Sequence, residues 1–342
     1  MGLSTTFIRP GNTMNVAIIG AGVMGLSCAC ELVDRGVSVT VYDQSSRLGQ
    51  SACSWFAGGM LAPWCEQERA EPAVLQMGLQ AIDWWQKHTR GVHKNGSLVI
   101  SLQRDRRDLK HFAELTQNHR WLDHEEIGEL EPDLSGRFEK GLYFADEAHL
   151  DPRDALLQLS VYLETRGGAI RFGESVQAED LQADRILDCR GLLARDRLPQ
   201  MRGVKGEMII LESREIHFSR PIRLVHPRYP IYIVPREDNR FMLGATMIEN
   251  DKRSRISTRS MLELLSVVYA LHPAFGESEI VETGVDLRPA LPNNLPVMFT
   301  EKNILVINGL FRHGFLLSPA LAMQAAQAVL DEQKFLQMGR CA

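Results

Sequence analysis

From Asn15 the chain alternates short apolar runs with glycine turns and amphipathic stretches. Residues 16–19 form an apolar run of buried-strand type, followed by GAGVMG and an apolar-periodic helix to about Arg35, where Gly36 stops it. Residues 37–42 alternate and lead to Asp43. After Trp64 the stretches become longer and more polar, and their spacing predicts helices over 72–89 and 105–120. The segment 154–176 reads as helix, Gly-Gly turn and strand. RILDCRG reads as a buried strand ending in a glycine turn.

Between residues 207 and 247 the period shortens to two. EMIILES, PIRLV, IYIVPR and RFMLGATM predict antiparallel strands, the last two as hairpin arms. A helix over 259–270, a buried strand at ILVING and a final helix from SPALAMQAAQAVLDEQ follow. Ser318 is expected to cap that helix and Pro319 to occupy its first position. The pattern predicts interleaved rather than sequential domains. A nucleotide-binding domain is expected from 14–79, 143–205 and 286–342, and a substrate-binding domain from 80–142 and 206–285. Residues 1–13 read as an N-terminal extension.

Composition narrows the classes. A chain of 342 residues with 44% hydrophobic residues can bury a core of this size, and a net charge of -5 supplies no footprint for nucleic acid. The six cysteines lack a CxxC pair, so no metal site is expected, and free thiols in a reducing cytoplasm are. VAIIGAGVMGLSCAC is too rich in glycine, and too soon followed by ELVDR, for a membrane segment.

Gly20, Gly22 and Gly25 form GxGxxG between a strand and a helix. The first glycine makes the turn, the second lets backbone approach a pyrophosphate, and the third brings helix and strand together. Asp43 ends the second strand, where its carboxylate can accept from ribose hydroxyls and repels a 2′-phosphate. NAD and FAD both remain open on these residues. The glycine-rich loop GQSACSWFAGGMLAPWCE can wrap a pyrophosphate through Ser54 and lie against a ring system at Gly58 and Gly59. Further on, ETGVDLRPALPNNLPVM holds one arginine, Arg288, between an apolar run and a proline-stiffened turn. It reads either as a surface residue or as a carboxylate clamp.

GAGVMGLSCACELVDRGVSVTVYD, SACSWFAGGMLAPWCE, ILDCRGLLARD, GVDLRPALP and GLFRHGFLLSP together resemble the D-amino-acid oxidase superfamily of flavoproteins, most of all its branch of glycine oxidases of thiamine biosynthesis. The resemblance runs over nearly the whole chain from Asn15. It implies an α/β fold with a Rossmann-type, glutathione-reductase-like FAD-binding domain and an interleaved antiparallel-β-rich substrate domain. It further implies FAD at Gly20, Gly22, Val23, Met24 and Gly25, at Asp43 and Gln44, and at Cys53 and Ser54. Gly58, Gly59 and Met60 would lie by the flavin, Val176 by the adenine, and Leu310, Phe311, Arg312, His313, Gly314, Phe315 and Leu316 along the pyrimidine side. Arg288, Arg312 and Tyr232 correspond to the family's substrate residues, and Met60, Tyr232 and Met247 would fill the space of a larger side chain. FRHGF lacks the cysteine of the covalent-flavin branch, which implies noncovalent FAD.

The implied reaction is oxidation of glycine, sarcosine or a small D-amino acid to an imine, then to a 2-oxo acid and ammonia, with O2 as acceptor. No side chain is assigned as acid or base. Thiazole synthase is the implied partner, and a homo-oligomer stays open. Two alternatives remain at this level: a small D-amino-acid or sarcosine dehydrogenase passing electrons to a quinone, and a non-catalytic flavin-binding partner of thiazole synthase.

Overall fold

The computed structural model describes residues 14–339. The β-branched run NVAII forms strand β1 (Asn15–Ile19), GAG turns the chain, and helix α1 (Val23–Val33) leads back to strand β2 (Ser38–Asp43). β1 pairs in parallel with β2 on one side and with Arg185–Asp188 on the other. Ala169–Phe172 extends the sheet beyond β2, and Ile304–Asn308 extends it beyond Arg185–Asp188. Val297–Glu301 closes that edge in antiparallel fashion, completing six strands. α1, Pro152–Thr165 and the last helix, Gly314–Leu330, cover one face over a core that includes Val16, Leu26, Leu156 and Ala322.

A second sheet of nine strands is built mainly on Arg202–Glu212 and Glu279–Ala290, which pair antiparallel along most of their length. Ile231–Pro235 and Arg240–Gly244 are hairpin arms, in agreement with the alternation. Ile222–Val225 pairs antiparallel with Ile231–Pro235, as the alternation predicts, and on its other edge runs parallel to Ser97–Ser101, a partner from a distant segment whose direction no hairpin dictates. Helix Thr258–Leu271 backs this sheet through Leu264, Val268 and Leu271.

Three local expectations need correction. The region 72–89 is two helices, Pro72–Gly78 and Ala81–His88, and the second buries Trp84 and Trp85 in the first core. The helix expected over 105–120 covers only Arg106–Leu115; Thr116 turns its hydroxyl back onto the Phe112 carbonyl, and Arg120–Asp123 is a strand. The last helix begins at Gly314, so Ser318 is not its cap and Pro319 lies inside it. Pro319 cannot donate to the Phe315 carbonyl four residues earlier. The indole N–H of Trp85 donates to that oxygen instead at 2.8 Å, and the buried Ser318 hydroxyl meets that of Ser27 at 3.2 Å. A remote tryptophan thus supplies the hydrogen bond that the proline removes.

The tight turn after β1 depends on two glycines for packing. Gly20 has φ +104°, and a Cβ there would meet the Cys189 carbonyl oxygen at 2.6 Å; at Gly25 it would overlap the Gly20 carbonyl oxygen. At Gly22 the nearest atom would be Ser54 Oγ at 3.7 Å, an ordinary contact. Gly25→Ala is therefore expected to destabilise the fold by about 1–3 kcal/mol, whereas Gly22→Ala should leave the unfolding midpoint nearly unchanged. Denaturant unfolding of the two variants, stripped of any bound nucleotide, checks this; equal losses would contradict it.

Candidate active site

The carboxyl ends of the parallel strands converge on a cavity of about 1240 Å³. Ile19, Asp43, Cys189 and Asn308 mark where four of these strands reach it. This is the crevice where doubly wound sheets take their ligands, because strand-to-helix turns leave main-chain N–H groups facing outward there. The N-terminus of α1 opens into it behind Gly22, with the Ser54 hydroxyl 3.4 Å from the Val23 nitrogen. Asp43 Oδ2 accepts from Ala21 N–H and Oδ1 from Ser45 N–H, both at 2.8 Å. The carboxylate therefore ties the glycine turn to the end of β2 while each oxygen keeps a lone pair for a ligand hydroxyl.

All the cofactor and substrate residues expected from the sequence lie on the cavity wall except Gly25, which is packed behind the turn. Gln44 follows Asp43 directly, and Glu174, two residues before Val176, donates its N–H to the Asp43 carbonyl; Tyr232 and Arg312 are among the groups whose charge acts on Arg288. Met247 is on the wall and half exposed.

The second sheet delivers the cationic end. Arg288 projects from Glu279–Ala290, a strand where the sequence suggested a short apolar run before a turn. Its guanidinium lies over Gly206, where any Cβ would overlap it, and its Nη1 donates to the Thr246 carbonyl at 3.1 Å. No carboxylate among the described residues pairs with it. Burial pushes its pKa down, and Arg312 adds to this while Tyr232 and Cys53 oppose it. Tyr232 stands beside Gly58 and Gly244, each of which would bring a Cβ within 2.8 Å of its ring.

Arg312 is in a different situation. Its Nη2 lies 3.1 Å from Glu66 Oε2, while Arg223 Nη2 donates to Glu66 Oε1 at 2.6 Å. Burial alone would raise the Glu66 pKa, but Arg312, Arg223 and His313 hold it well below the usual carboxylate range. His313 Nδ1 is 3.4 Å from the same carboxylate, yet burial, joined by the arginines, lowers its pKa to about 4. The imidazole is neutral at physiological pH. Sequence reasoning gave Glu66 no role. Its signal was a lone acid closing the otherwise apolar LAPWCE stretch.

Among the described residues no cluster of His, Cys, Asp or Glu could hold a metal ion, and no helix is long and apolar enough to cross a membrane. The described cysteines carry no disulfide; Cys341 lies outside the described residues. Burial raises the Cys53 thiol to about 12, so it faces the cavity unionised.

The sequence model of the family DAO, FAD dependent oxidoreductase, matches residues 15–328. An oxidoreductase of Rhizobium etli assigned by name to thiamine biosynthesis, ThiO, is 50% identical over 94% of this chain and 98% of its own length. A bifunctional protein ThiO/ThiG of Synechocystis sp. is 28% identical over 94% of this chain, which spans 52% of that protein. Among solved structures, glycine oxidase from Geobacillus kaustophilus superposes with a TM-score of 0.78 at 21% identity, covering 96% of both chains. Iminodiacetate oxidase from Chelativorans sp. BNC1 gives 0.76 at 20%, covering 95% of this chain and 96% of its own. At these identities the structures establish the fold, an α/β arrangement with a parallel and a mainly antiparallel sheet.

The buried histidines give the fold an acid limit. Burial, with help from Arg236, His93 and Arg220, lowers His149 to about 3, and His313 sits at about 4. Both lie below the ordinary value of about 6.5. The unfolded chain therefore takes up protons that the folded chain refuses, and stability falls as pH drops from about 6.5 through these folded values. Thermal unfolding followed by circular dichroism should show midpoints declining over that window, with His149→Gln flattening the decline. An unchanged slope in the variant would contradict the assignment.

Proposed function

The chain belongs to the DAO family of FAD-dependent oxidoreductases, and from that premise we propose that it oxidises the carbon–nitrogen bond of glycine and similarly small amines. The observation that carries this reading is Arg288, a guanidinium on the cavity wall without an anionic partner among the described residues. A carboxylate accepting two of its N–H groups would offset the cost of holding that charge away from water. The Thr246 carbonyl occupies one N–H, and the remaining donors would be left for the substrate carboxylate.

The residues present fit the cofactor. The open space at Gly22, the α1 N-terminus, the Ser54 hydroxyl and the free lone pairs of Asp43 would hold its pyrophosphate and ribose. FAD, when bound, supplies a two-electron acceptor for the hydride that leaves the substrate's α-carbon. The chain's own contribution is alignment. Arg288 would fix the carboxylate, Tyr232 would offer its hydroxyl as a further donor, and the pair would set the direction of the α-carbon. Positioning of this kind lowers barriers by several kcal/mol without any acid or base.

Glu66 governs the remaining charge. It neutralises Arg312 and Arg223 in part, so Arg288 is the cation most available to a carboxylate. His313, at about 4, is too weakly basic to deprotonate an ammonium group. The amine would therefore reach the site neutral from solution, and kcat/KM for glycine should rise with pH through the alkaline range. The overall reaction consumes glycine, O2 and water and yields glyoxylate, ammonia and hydrogen peroxide. The ThiO/ThiG fusion supports delivery of the imine to thiazole formation before it hydrolyses.

Anaerobic mixing with glycine, sarcosine or D-alanine should abolish the oxidised-flavin absorbance, and admitting O2 should restore it with one peroxide per cycle. Bleaching without peroxide would favour a dehydrogenase, and no bleaching would overturn the reading. Arg288→Ala should raise the KM for glycine about a hundredfold, since removing one partner of a buried charge pair costs about 2–5 kcal/mol, with flavin occupancy retained.

A further inference from the structure

The carbonyl that holds Arg288 belongs to a segment that has left its sheet. Arg240–Gly244 pairs with Arg202–Glu212 as far as Leu243 opposite Ile209, and pairing resumes only where Ile248 meets Lys205. Between those points the main-chain groups of Glu207 point at a gap. Thr246 fills it. Its N–H donates to the Glu207 carbonyl at 3.2 Å, and its hydroxyl accepts from Glu207 N–H and donates to Glu207 Oε2, both at 3.0 Å. A side-chain hydroxyl thus stands in for the ladder, and the Thr246 carbonyl is released from the sheet to face Arg288.

The carboxylate behind this arrangement is itself fixed. Glu207 is fully buried, and its Oε1 accepts from Lys205 Nζ at 2.5 Å and from Ser257 N–H at 3.2 Å. Lys205 Nζ also donates to the Arg255 carbonyl at 3.1 Å. On the opposite face of the same strand, Gly206 leaves the space in which the Arg288 guanidinium lies. One stretch, Lys205-Gly206-Glu207, therefore shapes the seat of the guanidinium from below and anchors the carbonyl that orients it from the side. A buried carboxylate with a lysine partner and two further donors is costly to assemble and easily replaced by apolar packing if only stability were at stake.

We propose that Glu207 and Thr246 are positioning residues for the carboxylate clamp: Glu207 locks the Thr246 hydroxyl, and the Thr246 carbonyl sets the direction in which Arg288 presents its N–H groups to a substrate carboxylate. This rests on the reading of Arg288 given above. Both residues line the cavity, and the role given to them is exerted through Arg288. Their effect should fall on carboxylate binding more than on the chemical step, and it should depend on the hydroxyl rather than on the size of the side chain.

The experiment is a titration of the purified FAD-loaded protein with glycolate, followed by perturbation of the flavin absorbance, alongside KM and kcat for glycine. Thr246→Val keeps the shape and removes the hydroxyl; it should weaken glycolate binding about tenfold, roughly what one such hydrogen bond is worth, and raise KM in proportion. Its kcat should fall less than threefold. Thr246→Ser restores the hydroxyl and should restore binding to within about twofold of wild type. Glu207→Gln, which retains the shape but loses the charge, should weaken binding in the same direction. If Thr246→Val binds glycolate like wild type while Arg288→Ala does not, the positioning role is overturned and the clamp stands. If Thr246→Val does not fold, equal glycolate affinity in Glu207→Gln and wild type overturns it. Wild-type protein that binds no glycolate, or binds it as well after Arg288→Ala, overturns clamp and positioning together.

Discussion

A guanidinium kept in a cavity wall with no carboxylate to meet it is an energetic debt that folding alone does not explain. Arg288 donates to one carbonyl and lies over one glycine, and no carboxylate among the described residues compensates its charge. Holding it there requires a rigid surround, since a mobile arginine would turn to water or find an acid elsewhere. The long antiparallel pairing of Arg202–Glu212 with Glu279–Ala290 supplies that rigidity, with Val204 opposite Arg288 and Gly206 opposite Asp286. The second sheet is thus the stiff frame on which an unsatisfied cation can be carried to the mouth of a nucleotide crevice built by the first.

Two arginines of similar setting are separated by one acid. Arg312 and Arg223 both reach Glu66, whereas Arg288 does not. The distinction is electrostatic and local. A cavity with several equivalent free cations would draw any anion into several poses, and positional chemistry would suffer. Glu66 occupies Arg312 and Arg223, which under the proposed reading leaves Arg288 to meet an incoming carboxylate. The same acid draws His313 into its network, although burial keeps that imidazole neutral. Beside this network Arg288 stands without a carboxylate among the described residues.

The parts of this architecture that were legible in the sequence are those set by neighbours in the chain. The glycine turn, the acid ending β2, the hairpin arms and the last strand and helix all carry their spacing within a few residues. The meeting of Arg288 with Thr246 joins positions 42 residues apart, Glu66 with Arg223 joins positions 157 apart, and Glu66 with Arg312 joins positions 246 apart. No local period encodes those. Pro319 shows the same limit in reverse: its local signal for a helix start is sound, yet Trp85 donates to the carbonyl the proline strands, and the helix begins at Gly314. Glu279–Ala290 was hidden because Arg288 and Pro289 interrupt its apolar alternation, and an edge position tolerates both.

Glycine carries a second meaning here besides turn-making. Gly206 lies within a strand, Gly244 ends one, and Gly58 lies in the loop across from them, none with the positive φ that would demand the residue. Glycine inside a strand weakens it and offers no surface to pack. At each of these places the missing Cβ is occupied by another residue's functional end: the guanidinium of Arg288 over Gly206, the phenol of Tyr232 against Gly58 and Gly244. Two large polar side chains are thereby held by contact with bare backbone, which has no rotamers of its own and cannot yield. A methyl group at any of the three would crowd the side chain that lies there and shift its polar end. The sheet gives up local propensity at those positions, and what it gains is a fixed angle between a cation and a hydroxyl.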